Sequence, residues 1–135
     1  MKKVFLSLLI FFTFSNLHTS EIQLLKIFDG LNKPWSLSFI NENNILVTEK
    51  PGNLLVINLK DKTKSVIKHN LSVLEDGQGG LLDVLYYNKN VYVSYSENRG
   101  NWNSSTSVAK GVFNNKNIVF KNIFRAEPPI NSGYH

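Results

Sequence analysis

The chain has 135 residues, of which 42% are hydrophobic and 19% are charged, and its formal net charge is +5. This composition is that of a globular protein of at most one modest domain, and it excludes a chain that is disordered throughout. The lysines are scattered among acidic residues, so the basic stripe of a nucleic-acid-binding protein is missing and we expect no nucleic-acid partner. The absence of cysteine excludes thiol catalysis and cysteine-ligated metal sites.

The N-terminus has the pattern of a secretory signal peptide. Lys2 and Lys3 precede an apolar run, Val4–Phe14, and the small residues Thr19 and Ser20 follow. A run of this length after a basic start is typical of a signal peptide, whereas a membrane span needs about 20 apolar residues.

We therefore predict a signal peptide over residues 1–20 and a mature domain over residues 21–135. Loss of two lysines lowers the net charge of the mature chain to +3. The mature protein is expected to be periplasmic or secreted, with no stable membrane span. An uncleaved membrane anchor is the alternative.

After the signal, the sequence predicts short β-strands separated by turn residues and no helix. The predicted strands are Trp35–Ile40, Asn44–Glu49, Leu54–Leu59, Ser65–Lys68, Leu81–Tyr87, Val91–Ser96, Ser107–Phe113 and Ile118–Phe124. The polar segment Glu97–Thr106 is predicted to be a long loop, with Trp102 as an exposed aromatic residue.

The first four strands resemble the second four at an offset of roughly 45 residues, which is the length and strand content of a β-propeller blade. A propeller holds about four to eight blades, and two blades do not close the ring. The pattern therefore predicts an N-terminal fragment of a larger protein, or a chain whose copies associate. An independent eight-stranded sandwich or barrel remains an alternative that leaves the repeat unexplained.

The strongest candidate for a binding site is the glycine-rich segment Glu75–Asp83, which contains Gln78 between glycines. Glycine lets the backbone turn sharply and leaves the Gln78 amide uncrowded, and an amide both donates to and accepts from polyols such as sugars. An inter-blade loop without a ligand is the alternative. Carboxylates at Glu75, Asp76 and Asp83 suit Ca²⁺ chemically, but turn and capping roles are favoured for them.

Other polar residues give weaker signals. Glu49, at a strand end, is assigned a structural role, such as pairing with a nearby lysine, in preference to facing a central channel. His18 falls within the predicted signal, and His69 is interpreted as a surface residue. His135 follows a loop rich in proline and glycine that is able to present an imidazole to a pocket as a general base. No Ser-His-Asp set, zinc-protease helix, P-loop or dinucleotide fingerprint is present.

Several motifs in order resemble the soluble PQQ-dependent sugar dehydrogenases, the glucose/sorbosone dehydrogenase family, and within it the aldose sugar dehydrogenase branch. The motifs run Gly30–Phe39, Leu46–Gly52, Gly77–Val84, Val91–Glu97, Phe124–Pro128 and Ser132–His135. They cover nearly the whole mature chain. Ser36 stands where relatives commonly have glycine, and Tyr134 stands where they often have a smaller or acidic residue, which leaves the sugar preference open.

The resemblance implies a six-bladed β-propeller, of which this chain supplies about two blades. It implies oxidation of the anomeric carbon of an aldose to a lactone, with hydride transfer to PQQ polarised by calcium; the electron acceptor is unknown. By the same resemblance, Gln78 contacts sugar and cofactor, Tyr134 contacts sugar, and His135 contacts cofactor and is the catalytic base.

The resemblance places the calcium ligands and the basic groups that clamp PQQ beyond residue 135, so we assign no metal ligand in this chain. The 135-residue chain alone is accordingly expected to bind PQQ poorly and to be inactive. A non-catalytic propeller that binds or scaffolds partners in the cell envelope is the alternative function.

Overall fold

A computed structural model of the chain describes residues 22–131. The predicted signal peptide, Tyr134 and His135 lie outside these residues. Every regular element in the described range is a β-strand, and none of its elements is a helix that could span a membrane. The strands are β1 (Pro34–Asn41), β2 (Asn44–Glu49), β3 (Asn53–Asn58), β4 (Thr63–His69), β5 (Leu81–Tyr87), β6 (Asn90–Asn98), β7 (Ser104–Val112), β8 (Asn117–Ile118) and β9 (Lys121–Arg125).

The first sheet is an antiparallel meander in the order β1-β2-β3-β4, closed by tight turns that the sequence predicts. Asn41 Oδ1 accepts from the backbone N–H groups of Asn43 (3.0 Å) and Asn44 (2.9 Å), which satisfies the turn between β1 and β2. The second sheet repeats this arrangement as β5-β6-β7-β9. Its first turn places Asn88 and Lys89 at positive φ (47° and 60°), the geometry of a two-residue type I′ hairpin.

The last predicted strand, Ile118–Phe124, is wrong as a single element. β8 pairs in parallel with β4 at the edge of the first sheet, and β9 pairs with β7 in the second. Between them, Phe120 donates its N–H to Asn70 Oδ1 (2.8 Å) and accepts from Asn70 Nδ2 (3.1 Å). Because Ile118 and Phe120 are buried between the sheets, this segment leaves the second sheet to cover the first.

The predicted loop Glu97–Thr106 is also wrong in its extent, since only residues 99–103 lie between β6 and β7. The serines that open β7 are polar but buried, and two of them have charged partners. Ser107 Oγ donates to Glu97 Oε2 (2.7 Å), and Ser105 Oγ accepts from Arg99 Nη1 (3.0 Å). Trp102 is 74% exposed, as predicted.

The core lies between the two sheets, where alternate residues of each strand meet. It is formed by Leu46, Leu54, Ile67, Leu81, Val84, Val91, Val93, Tyr95, Ala109, Ile118 and Phe120. Small polar side chains join the first sheet to β5: Ser38 Oγ of β1 accepts from Tyr86 N–H (2.9 Å), and Thr48 Oγ1 of β2 donates to the Leu82 carbonyl. Ser36 Oγ also accepts from Val84 N–H at 3.5 Å.

The opposite face of the first sheet carries a second, smaller core of Ile45, Val47, Leu55 and Ile57, against which Phe28, Leu31 and Leu59 pack. On β1, Trp35, Leu37 and Phe39 point away from the core and are about half exposed or more. In the second sheet, Leu85 and Val112 share the outer face and are likewise exposed. The outer face of the first sheet is thus covered in its middle and open along β1, and exposed apolar residues lie on the outer face of the second sheet.

Candidate active site

The Gln78 loop, residues 75–80, connects the first sheet to β5. Its tip is a tight turn in which Gly79 N–H donates to the Asp76 carbonyl at 2.7 Å, with Gly77 at a positive φ of 50°. Gln78 is exposed at this tip, and its amide makes no hydrogen bond with any residue in the range 22–131. The side chain is therefore able to donate to and accept from a ligand, as the sequence predicts.

Gly79 and Gly80 have a role that composition alone did not reveal. A Cβ on Gly79 would lie 2.6 Å from Ser96 Oγ, and one on Gly80 would lie 2.6 Å from Lys50 Cγ and closer still to the Lys50 carbonyl. Gly80 also has a φ of +156°. These glycines are needed because neighbouring strands approach the backbone closely, and only Gly77 serves the turn itself.

The loop is attached to both sheets. On the side of the first sheet, Leu81 N–H donates to the Lys50 carbonyl (2.9 Å), and the Lys50 ammonium donates to the Gly77 carbonyl. On the side of the second sheet, Ser96 N–H donates to the Gly80 carbonyl (2.8 Å), and Ser96 Oγ accepts from Gly80 N–H (3.2 Å). Hydrogen bonds from both sheets thus hold the loop that carries Gln78.

The acidic residues near the loop do not form a group of ligands. Glu75 Oε1 lies 2.7 Å from Lys33 Nζ in an ion pair with the residue before β1. Asp76 and Asp83 are exposed. Nowhere in residues 22–131 do three or more potential metal-ligating side chains come together.

Glu49 is buried, being 4% exposed, at the end of β2. Its Oε1 accepts from Asn32 N–H (2.7 Å), and its Oε2 accepts from Asn53 Nδ2 (2.8 Å). The predicted structural role is confirmed, but the partners are a backbone amide and an asparagine instead of a lysine. Glu49 fixes the entry to β1 beside the β2–β3 turn.

His69 is half-buried, so its interpretation as a surface residue is wrong. Its Nδ1 accepts from Leu71 N–H (3.3 Å), which leaves Nε2 to donate to the Gly52 carbonyl (2.8 Å). The ring also meets the edge of Phe120, with centroids 6.2 Å apart. With both ring nitrogens engaged, His69 supports the β2–β3 turn.

Sequence reasoning missed a polar network around Glu97, at the same end of the second sheet as Ser96. Arg125 binds the carboxylate with two hydrogen bonds, Nη2 to Oε1 (2.6 Å) and Nε to Oε2 (2.7 Å). Asn122 Nδ2 also donates to Glu97 Oε2 (3.0 Å). The Arg125 bonds foremost, and then the bond from Ser107, hold the pKa of Glu97 below its ordinary value of 4.5, against the effect of burial. These residues meet because β7 pairs with both β6 and β9, and no local sequence pattern indicates that pairing.

The last described residues return to this end of the sheet. Ile130 exchanges two backbone hydrogen bonds of 2.9 Å with Ser104, and Arg99 forms an ion pair of 2.9 Å with Glu127. Ile130, five residues before His135, therefore lies beside the start of β7. Whether Tyr134 and His135 join Gln78 stays a prediction.

Residues 31–135 match the family described as Glucose / Sorbosone dehydrogenase. This chain belongs to the glucose/sorbosone dehydrogenase family. It is similar to Aldose sugar dehydrogenase YliI of Escherichia coli (strain K12), with 29% identity over 116 residues, which are 79% of this chain and 31% of YliI. The family resemblance carried by the sequence motifs is thereby confirmed.

Solved structures of the family agree in fold. A glucose dehydrogenase is 35% identical with a TM-score of 0.72, over 78% of this chain and 33% of that chain. The PQQ-bound form of Aldose Sugar Dehydrogenase from Streptomyces coelicolor is 20% identical with a TM-score of 0.67, over 78% of this chain and 34% of that one.

The chain thus spans about a third of the length of these relatives. The two sheets in that third are two propeller blades, and the same ratio gives about six blades for the relatives' full length. The predicted fold, all-β with about two blades of a six-bladed propeller, is confirmed.

Replacing Gly80 by alanine is predicted to destabilise the protein by about 2–4 kcal/mol, because the new Cβ meets Lys50 at an unfavourable φ. Gly100→Ala is the matched control: its φ is also positive (+80°), but a Cβ there meets nothing within 4 Å. Denaturant unfolding measures both variants. Equal losses would show that the close approach to Lys50 carries no cost.

Glu97 is predicted to make stability depend on pH. Since its folded pKa is lowered, its contribution is fully present above the ordinary value of 4.5 and is lost as pH falls through the folded pKa. Glu97→Gln should cost about 1 kcal/mol near neutral pH and flatten the acid limb of the stability curve. Glu127→Gln, whose carboxylate is 55% exposed, should leave that limb steep. The free energy of unfolding is measured from pH 7 to pH 3. If its pH dependence were the same in Glu97→Gln as in wild type, the assignment of the acid limb to Glu97 would be wrong.

Proposed function

We propose that the protein containing this chain oxidises the anomeric carbon of an aldose sugar to a lactone, using PQQ. Membership of the glucose/sorbosone dehydrogenase family supports a sugar oxidoreductase. The printed name of YliI supports an aldose as substrate, and the PQQ-bound relative supports the cofactor. The electron acceptor that reoxidises the cofactor is left unassigned.

The observation that carries the proposal is the free amide of Gln78 at the tip of a loop clamped between two blades. PQQ bears carbonyl and carboxylate oxygens, and an amide NH₂ donates well to such atoms while its oxygen accepts from a sugar hydroxyl. The Gln78 side chain is therefore able to make one hydrogen bond to PQQ and one to the sugar. When bound, PQQ supplies the two-electron acceptor for the hydride from the anomeric carbon.

His135 is the proposed base. Loss of hydride from the anomeric carbon requires loss of the proton on the anomeric hydroxyl, and a neutral imidazole accepts such a proton near neutral pH. Tyr134 is proposed to contact the sugar, and His135 to contact the cofactor as well. This assignment rests on the Ser132–His135 motif.

Calcium is proposed as the Lewis acid beside the cofactor, with ligands beyond residue 135. The exposed carboxylates of Asp76 and Asp83 belong to no group of three or more potential metal ligands in residues 22–131. Groups that clamp the PQQ carboxylates are likewise assigned beyond this chain. A complete site then needs further blades.

The test is an assay of the complete protein with PQQ, Ca²⁺, an aldose and an artificial electron acceptor. His135→Ala is expected to lower kcat about 10²- to 10⁴-fold, the usual contribution of a general base. Gln78→Ala is expected to lower kcat/KM, while Lys60→Ala, at an exposed position of the turn between β3 and β4, should behave as wild type. Residues 1–135 alone should show no turnover.

A folded complete protein that binds no PQQ and oxidises no aldose would overturn the proposal. That result would favour the alternative of a non-catalytic propeller that binds or scaffolds partners of the cell envelope. Activity unaffected by His135→Ala would instead overturn only the assignment of the base.

Export to the periplasm or the outside is also proposed, on the signal-peptide pattern of residues 1–20. Mass spectrometry of the protein from its native host is expected to find a mature N-terminus within a few residues of Glu21. Retention of Lys2 and Lys3 in the mature protein would contradict cleavage and favour the membrane anchor.

A further inference from the structure

Lys50 contacts both ends of the Gln78 tip. It follows β2, and its ammonium donates to the carbonyl of Gly77, the residue before Gln78. Its own carbonyl accepts from Leu81 N–H at 2.9 Å, and its side-chain stem packs against Gly80. One residue of the first blade therefore brackets the tip that leads into the second.

The tip depends on such outside contacts because its own structure is weak. Three of the four residues from Gly77 to Gly80 are glycine, the residue with the greatest backbone freedom. One backbone hydrogen bond, from Gly79 N–H to the Asp76 carbonyl, closes the turn. An exposed side chain on a turn of this kind points in one direction only if the adjacent peptide units are held.

The ammonium of Lys50 holds the peptide unit that matters most for Gln78. The Gly77 carbonyl and the Gln78 N–H belong to one planar peptide, so fixing the direction of the carbonyl also fixes the N–H and the adjoining Cα. A hydrogen bond from a charged donor is roughly twice as strong as a neutral one. The Trp35 ring, whose centroid lies 5.8 Å from Lys50 Nζ, restrains the ammonium on another side.

We propose that Lys50 is a positioning residue, which orients the Gly77–Gln78 peptide so that the Gln78 amide meets sugar and cofactor. This role rests on the proposed function for its effect on catalysis. The effect of Lys50 on the loop does not rest on the proposed function, because its bond to the Gly77 carbonyl is present without ligand. In this proposal Lys50 acts through Gln78 and is not itself a catalytic residue.

The first test compares Lys50→Met with Lys62→Met in the complete protein. Lys62 Nζ also donates to a backbone carbonyl, that of Ile27 at 2.8 Å, so the control loses the same kind of bond elsewhere. Small misplacements of a positioned group cost up to about 100-fold in rate. Lys50→Met is expected to lower kcat/KM about ten- to 100-fold, whereas Lys62→Met should stay near wild type and Lys50→Arg should retain most activity.

A double-mutant cycle then separates positioning from general weakening of the fold. If Lys50 acts through Gln78, Lys50→Met should cause no further loss of kcat/KM in a Gln78→Ala background. Losses that multiply would show that Lys50 acts by another route and would overturn the proposal.

Hydrogen exchange without PQQ or sugar provides a readout independent of activity. Lys50→Met should speed exchange of the Gly79 amide, which closes the turn, and Lys62→Met should not. If wild type oxidises no aldose yet this difference appears, the proposed function fails and the restraint on the loop stands. If wild type is active and Lys50→Met matches Lys62→Met in both kcat/KM and exchange, the role of Lys50 is wrong.

Discussion

The structure depends on a close backbone approach between the end of β2 and the start of β5. The Lys50 carbonyl accepts from Leu81 N–H at 2.9 Å, and a side chain on Gly80 would collide with Lys50. Because the second sheet begins at this contact, the approach sets how the two blades face each other. The same contact delivers the Gln78 tip to the end of the sheets. The fold and the candidate site thus both require that residue 80 have no side chain.

Much of the fold was predictable because its strands alternate and its turns carry asparagine and glycine. The first seven predicted strands correspond to observed ones. The failure at Ile118–Phe124 arose because both halves favour β-structure, and only tertiary contacts decide that β8 joins the other sheet. The failure at Glu97–Thr106 arose because a polar composition was taken for a loop. Ser105 in this segment is a buried strand residue whose hydroxyl accepts from Arg99.

The site was predictable only in part. A glutamine among glycines marks Gln78 from composition, but the residues that hold it lie far away in sequence. Lys50 is 27 positions from Gly77, and Lys33 is 42 from Glu75. Arg125 is 28 positions from Glu97. No local pattern encodes such pairs, which follow from strand register once the sheets have packed.

The parallel pairing of β8 with β4 makes the first blade depend on residues of the second. Residues 117 and 118 cover the edge of a sheet whose own four strands end at His69. A chain that ended after β4 would therefore leave that edge unpaired. An unpaired edge is a template for aggregation. The first blade is accordingly not a self-contained unit, and a boundary drawn between the two blades would expose β4 to pairing with other chains.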